Sequence, residues 1–249
     1  MWLLMPESIQ QIVWEGLLEP TNDEVVERSQ HQWASQGLQV SMQQAVRTMP
    51  VVSIGQPETW PLQEVYPLKQ MPRLLRTKMA QADFYLVRLS CSFRPIYKES
   101  RIQWARFRFS LLPNVLGQFP IANDLYPLQV FQEVKHQTKV TLSPTLKFQE
   151  MEVGVGGVEF GVEYRELQPR ISAAGAGEAE ASWDYVEARG AAVEGCKWMY
   201  VLVKASKGMS KGQAIIDLVA DVEVQGVRVP VVAFRHRKQA EAHLTVQLW

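Results

Sequence analysis

Residues 136–169 read HQTKVTLSPTLKFQEMEVGVGGVEFGVEYRELQP, and the second half of this stretch alternates between apolar and polar side chains. In an extended chain these side chains would fall on two opposite faces: Val158, Phe160, Val162 and Tyr164 against Glu159, Gly161 and Glu163. Such alternation predicts strands with one buried face. Three glycines within residues 154–157 and the recurring valines argue against a helix. We predict that the fold is organised around this segment.

The chain from Asp83 onward continues the strand pattern. Residues 83–93 and 101–112 both alternate, and we predict that they form one long hairpin joined by a polar turn at residues 97–100. The Gln225–Gly226 dipeptide lies between two further alternating stretches, which is typical of a hairpin turn. The chain from residue 83 onward is therefore predicted to be mainly β, with a loop at residues 113–127 and either a strand or a short helix at residues 128–135.

The N-terminal part has a different pattern. Residues 6–17 place apolar side chains at helical spacing, a second helix is predicted to start after Thr21 or Asn22, and residues 40–49 suit a short third helix. Five prolines between residues 50 and 72 predict an extended connector on the surface, followed by one or two helical turns at residues 74–82.

Together these patterns predict an α+β fold that is mainly β. Its antiparallel, β-sandwich-like core would span residues 83–249, an N-terminal helical layer residues 1–49, and a proline-rich connector residues 50–82. The 249 residues suffice for one large domain.

Charge and cysteine content narrow the function classes. The chain has 26 basic and 26 acidic residues, so its surface as a whole is not tuned for nucleic acid. Two cysteines, and the lack of a secretory pattern or a run of ~20 apolar residues, predict a cytoplasmic protein with free thiols.

No motif predicts catalysis, a cofactor or a metal. Residues 208–212 (GMSKG) fit the G-x-S-x-G pattern, but the residues after them alternate like a strand, whereas a nucleophile elbow leads into a helix. We therefore interpret this motif as a glycine-rich turn and predict that Ser210 is not a nucleophile. The four histidines have no neighbours at metal-ligand spacing. The sequence thus indicates a non-enzymatic protein.

A candidate basic surface comprises Trp104, Arg106 and Arg108, which share one face of a predicted strand. Arginines beside an aromatic ring can hold single-stranded nucleic acid, here through a hairpin spanning residues 94–108. Alternatively, the arginines pair with Glu159 and Glu163 on a neighbouring strand. We favour ion pairing, because acidic partners are available and the net charge is zero.

Residues 173–182 (AAGAGEAEAS) contain only small or polar side chains. Such a segment has little apolar surface to bury, which predicts a mobile loop open to proteases. We expect the first cut in limited proteolysis between residues 170 and 189, and we consider a regulatory role for it. The candidate cleavable residues are Ala173, Gly175, Gly177, Glu178 and Glu180.

Two functions remain open at this point, with nucleic-acid binding as a third. The first is a β-rich protein–protein interaction module with an unidentified partner, possessing neither metal nor cofactor. The alternative is a membrane-active or pore-forming protein that inserts a glycine-rich hairpin at residues 151–164, because this segment has the alternation of membrane-inserting hairpins.

Overall fold

The protein is described by a computed structural model, which covers residues 11–66, 71–114, 117–130, 171–187, 192–234 and 243–249, together with the backbone of residues 2–3, 145–148, 151–155 and 170. Two antiparallel sheets face each other and enclose the main core. This confirms the predicted mainly-β, sandwich-like fold.

The helices are α1 (Asp23–Ser35), α2 (Met42–Thr48), α3 (Leu62–Val65) and α4 (Arg73–Gln81). The strands are β1 (Trp2–Leu3), β2 (Ile12–Leu17), β3 (Glu19–Pro20), β4 (Val51–Gly55), β5 (Glu58–Pro61), β6 (Ala82–Arg94), β7 (Ser100–Leu111), β8 (Ile121–Tyr126), β9 (Gln129–Val130), β10 (Thr145–Phe148), β11 (Met151–Val155), β12 (Arg170–Ala174), β13 (Glu180–Val186), β14 (Gly195–Ser206), β15 (Gln213–Val224), β16 (Val227–Val232) and β17 (Leu244–Gln247).

The larger sheet has the strand order β3-β16-β15-β7-β13-β12-β9, and β17 also pairs with β15. The smaller one has the order β2-β4-β6-β14-β8, and β5 also pairs with β6. We call them the eight-stranded and the six-stranded sheet. A separate small sheet joins β1, β11 and β10.

Alternate side chains of the long central strands form the main core. The largest of its fully buried side chains on the strands are Phe93, Phe107, Phe109, Trp183 and Tyr185. Full burial of each such side chain contributes roughly 1.5–3 kcal/mol. A second, smaller core lies where α3 and α4 cover part of the outer face of the six-stranded sheet.

Two predicted helices are confirmed. α1 begins after Asn22, whose side chain accepts a hydrogen bond from the Val25 amide at 2.9 Å. α2 begins with a capping box formed by Ser41 and Gln44. Trp33 on α1 is fully buried, and its Nε1 donates to the carbonyl oxygen of Val224 at 3.0 Å. The helices therefore close one side of the sandwich.

The helix predicted at residues 6–17 is wrong for its described part. Residues 12–17 form β2, which pairs with β4 at the edge of the six-stranded sheet. The sequence IVWEGL starts with β-branched and aromatic residues, which suit a strand as well as a helical stripe. Trp14 packs against Phe234, with ring centroids 4.7 Å apart, and this contact across the sandwich favours the strand.

The proline-rich connector is also corrected. Residues 51–55 form β4 inside the six-stranded sheet, and Val52 and Ile54 are fully buried. The prolines at 50 and 57 flank this strand without interrupting it, so every amide within it can join a ladder. The helical turns predicted at residues 74–82 are confirmed by α4.

The long hairpin predicted for residues 83–112 does not form. β6 pairs with β4, β5 and β14 in the six-stranded sheet, whereas β7 pairs with β13 and β15 in the eight-stranded sheet. Residues 95–99 therefore cross from one sheet to the other. The alternation identified both strands correctly but contains no information about their partners. The hairpin turn at Gln225–Gly226 is confirmed, and both residues have positive φ, 48° and 80°.

Residues 173–182 are not a single loop. Ala173 and Ala174 belong to β12, and residues 180–182 belong to β13, which pairs with it. The turn between them is attached to β8, because the Gly177 amide donates to the Ala122 carbonyl and the Ala122 amide donates to the Glu178 carbonyl, both at 2.7 Å. Small side chains therefore allow close backbone approach here. Cleavage between residues 170 and 189 stays a prediction.

Two glycines of this turn provide a matched test. Both have positive φ, 97° at Gly175 and 88° at Gly177, but only at Gly175 would a Cβ overlap the carbonyl oxygen of Glu180. We expect Gly177→Ala to lower the free energy of unfolding by about 1 kcal/mol through backbone strain. Gly175→Ala should lower the free energy of unfolding by about 2 kcal/mol more than Gly177→Ala does, because the new Cβ would overlap a backbone carbonyl. Urea unfolding of both variants measures the difference. Equal effects would indicate a loosely held turn.

Candidate functional site at the edge of the sandwich

The edge of the eight-stranded sheet contains the attachment point of the central alternating segment. β9 and β12 are antiparallel neighbours there, with Val130 opposite Ile171 and Gln129 opposite Ser172. Residues 131–169 connect these two strands. The segment thus leaves and re-enters the sheet on adjacent, hydrogen-bonded strands, which we call the root.

The core holds both arms of the root. The Ala173 amide donates to the carbonyl oxygen of Leu128 at 2.7 Å. Trp183 on β13 is fully buried, and its Nε1 donates to the carbonyl oxygen of Pro127 at 3.1 Å. A buried tryptophan with a satisfied N–H is a strong local anchor. The root is therefore part of the folded sandwich.

The described parts of the segment are strands. β10 and β11 pair antiparallel, with Leu146 opposite Val153, and β1 pairs in parallel with β11 through Trp2 and Leu3. This confirms strands for residues 145–148 and 151–155. The stretch from Val158 onward, with Glu159 and Glu163, lies outside the described residues.

A row of aromatic side chains and one arginine extends across the outer face of the six-stranded sheet and begins beside the root. We call it the aromatic–arginine row; it comprises Tyr126, Tyr200, Arg88, Trp198 and Trp60. The pairing register places Tyr126 opposite Tyr200 and Tyr200 opposite Arg88. The guanidinium carbon of Arg88 lies 5.2 Å from the ring centroid of Trp60 and 5.0 Å from that of Trp198.

Glu58 accompanies Arg88 in this row and pairs with it. Burial raises the pKa of Tyr200, and the nearby Arg88 opposes this shift. Trp198 is 41 % exposed, so the row contains an aromatic side chain accessible to solvent. Sequence reasoning missed the row because its members lie on four strands whose pairing alternation does not reveal.

The predicted basic surface lies on the outer face of the eight-stranded sheet. Arg106 binds Asp184 through two hydrogen bonds, of 2.7 and 2.8 Å, and its guanidinium carbon lies 5.4 Å from the Trp104 ring centroid. Hydrogen bonding to Asp184 raises the pKa of Arg106. The Nε of Arg108 lies 3.5 Å from Oδ2 of Asp217.

The same Nε of Arg108 lies 3.9 Å from Oε1 of Glu180, a residue of the predicted cleavable segment. The described acidic partners thus come from β13 and β15, whereas the predicted partners Glu159 and Glu163 lie outside the described residues. Burial raises the pKa of Asp217, and Arg108 opposes this shift. The arginines lie on a charge-paired face.

The nucleic-acid surface predicted for residues 94–108 requires one hairpin, and this geometry is wrong. Arg94 is on the six-stranded sheet, where it pairs with Glu15 and donates to the Ser53 hydroxyl at 2.8 Å. Arg106 and Arg108 are on the other sheet. The arginines do not form one surface.

The GMSKG motif lies in the connection between β14 and β15, so a strand follows it, as predicted. The Gly208 amide and the Lys207 ammonium both donate to Asp83, at 2.7 and 2.6 Å, and hold this connection against β6. Both cysteines are free; burial raises the pKa of Cys91, and Cys196 is exposed.

Within the described ranges, no three His, Cys, Asp or Glu side chains are grouped so as to hold a metal ion. No helix in the described part of the chain combines the length and apolar character needed to cross a bilayer.

Comparison with known proteins gives only weak similarity. No family model matches the chain, and no curated protein matches it. Among solved structures, one described as "Pore forming protein" shares 9 % identity and a TM-score of 0.38 over 80 % of this chain and 84 % of its own. The membrane-inserted form of the Clostridium perfringens NetB toxin shares 7 % identity and a TM-score of 0.31 over 80 % of this chain and 87 % of its own. Similarities at this level carry no argument about function.

Proposed function

We propose that this chain is a membrane-active, pore-forming protein that inserts residues 131–169 into a lipid bilayer. One observation carries the proposal: the segment begins and ends on the paired strands β9 and β12 at a sheet edge. A segment attached in this way can move as a unit while the root stays in place.

The length of the segment suits a bilayer. A spanning β-strand needs ~9–11 residues, and residues 131–169 are numerous enough for two strands of that length and a turn. Its backbone amides and carbonyls must be paired inside the hydrocarbon, which two antiparallel arms and neighbouring copies can achieve. The segment is therefore long enough to cross as a hairpin.

The alternation within the segment indicates a pore. Val158, Phe160 and Val162 on one side would contact lipid, whereas Glu159 and Glu163 on the other side require water. One hairpin cannot shield both carboxylates from the hydrocarbon. Several hairpins whose polar sides face one another can enclose an aqueous path, so the proposal implies that several copies of the chain assemble.

Two aromatic side chains of the aromatic–arginine row, the exposed Trp198 and the half-buried Tyr126, support contact with a membrane surface, whereas Tyr200 is buried in the second core. Tryptophan and tyrosine side chains are enriched at the level of the lipid headgroups, where an apolar ring and a polar edge are both satisfied. Tyr126 ends β8, three residues before β9 begins, and Trp198 is exposed at the other side of Arg88. A membrane facing this row would also lie close to the departing segment.

The interaction module stays a prediction, as does a cytoplasmic location. A protein partner captured from the source cell, without any membrane activity of the pure protein, would favour the module. The paired arginines and the separation of Arg94 from Arg106 leave nucleic-acid binding without the surface that it required.

We predict that the sandwich folds without residues 131–169. Since Val130 and Ile171 are register partners, residues 131–170 can be replaced by Asn-Gly, which closes β9 onto β12 through a two-residue turn. We expect the free energy of unfolding to change by less than about 2 kcal/mol, because the main core is retained. Urea unfolding measures this change.

This shortened variant should also lose membrane activity. The full chain should release an encapsulated dye from phosphatidylcholine–phosphatidylserine liposomes, directly or after limited proteolysis, whereas the shortened variant should release none. Undiminished release by a folded shortened variant would overturn the proposal, as would the absence of release by the full chain under both conditions.

The second prediction uses the alternation itself. Phe160→Lys places a charge on the side proposed to contact lipid, which costs about 2–4 kcal/mol near the middle of a bilayer. Gly161→Lys places the same charge on the proposed aqueous side and serves as the matched control. We expect the first variant to reduce dye release at least about tenfold, since 1.4 kcal/mol corresponds to a factor of ten, and the second to retain it.

Both variants should bind liposomes and unfold in urea like the parent, which separates insertion from folding. If Gly161→Lys abolishes dye release and Phe160→Lys does not, the two sides have been assigned wrongly. If neither substitution matters, the segment does not cross the bilayer.

A further inference from the structure

A groove of about 560 Å³ lies between α1 and the hairpin of β15 and β16, away from the root. Its walls are lined by Arg28, Gln32, Ser35, Gln36, Gly226, Val227, Arg228 and Pro230. This volume is within the range of roughly 300–1,000 Å³ of small-molecule sites. Most of its lining residues are polar, and none is acidic.

The side chains of the helix wall are exposed, and most of their polar groups have no partner among the described residues. Arg28 makes no ion pair with any described residue, although Glu24 lies one turn earlier at a spacing that often gives one. The side-chain amides of Gln32 and Gln36 have no hydrogen-bond partner in the described part of the chain. The Ser35 hydroxyl donates to the Gln32 carbonyl and keeps its acceptor capacity.

The opposite wall contributes an open strand edge. In the two-residue hairpin, Val224 and Val227 are the pair next to the turn, so the amide and carbonyl of Arg228 point away from β15. β3 covers this edge at Val231 and Val232, and the Thr21 amide donates to the carbonyl oxygen of Pro230 at 3.1 Å, so within the described residues the edge is open at Arg228. Arg228 itself is held by an ion pair with Asp221, and the side chain of Gln36 lies over the turn, with its Oε1 3.9 Å from the position that a Cβ would take at Gly226.

We propose that this groove binds an anionic sugar, with the carboxylate or phosphate on Arg28 and the hydroxyl groups on the glutamine amides. An uncompensated guanidinium favours an oxyanion through charge-assisted hydrogen bonds. Side-chain amides both donate and accept, which suits hydroxyl groups. Because the groove is distinct from the root, this inference is independent of the pore-forming function.

The experiment is a ¹⁵N–¹H NMR titration of the full chain with four probes: inorganic phosphate, glucose 6-phosphate, glucuronate and glucose. We expect saturable shifts, confined to the amides of residues 28–36 and 226–230, with glucose 6-phosphate or glucuronate, and weaker or no shifts with glucose. Arg28→Gln should weaken binding about tenfold, the loss expected for about 1.4 kcal/mol of a charge-assisted contact. Arg47→Gln, which removes an exposed arginine on α2, is the matched control and should bind like the parent.

The four probes distinguish a phosphate ligand from a carboxylate ligand. A response to glucose 6-phosphate and not to glucuronate identifies a phosphate ligand, and the reverse identifies a carboxylate. Equal binding of inorganic phosphate and glucose 6-phosphate would overturn the sugar part of the inference. Three results would overturn the proposed binding site. The shifts could spread over the whole surface, or Arg47→Gln and Arg28→Gln could weaken binding equally. The third is an absence of shifts up to about 50 mM ligand, where the affinity would be negligible.

Discussion

The packing of two apolar sheet faces against each other is the constraint on which the structure depends. Long strands from both sheets, such as β7 and β14, place their inward side chains in one continuous core. Because side chains alternate along a strand, each side chain that points into the core has a neighbour that points outward. These outward side chains must be covered by other elements or paired on the surface. The outer faces therefore differ: α3 and α4 cover part of one, and ion pairs such as Arg106–Asp184 cover part of the other.

The root follows from the same constraint. β9 and β12 are the last two strands of the eight-stranded sheet: β12 pairs with β13 on its other side, and β9 is the edge strand of the described sheet. The buried Trp183 and the bond from Ala173 to Leu128 stabilise them from the inner side. The described core thus holds both ends of a long segment through these two strands. We propose that this separation between a folded body and an attached segment is the basis of the function.

Local patterns predicted α1, α2, α4 and most strands after residue 82, but they missed the strands β2 and β4 and predicted strand partners poorly. Asn22, Ser41 and Gln225–Gly226 act through bonds within a few residues, so α1, α2 and the last hairpin could be read locally. The sheets to which β6 and β7 belong depend on pairing with strands more than a hundred residues away, which no local pattern records. The same is true of the root and of the aromatic–arginine row. Residues 173–182 were misread because small side chains serve a tight hairpin as well as a loop.

Hydrogen exchange of the full chain, free and bound to liposomes, tests the central claim most directly. Exchange measured by mass spectrometry reports the protection of each segment separately. The proposal predicts that membrane binding changes the protection of peptides from residues 131–169, while β7, β13, β14 and β15 keep theirs and the root stays protected. A change in the sandwich strands with an unchanged segment would contradict it, as would membrane binding that alters no peptide from residues 131–169.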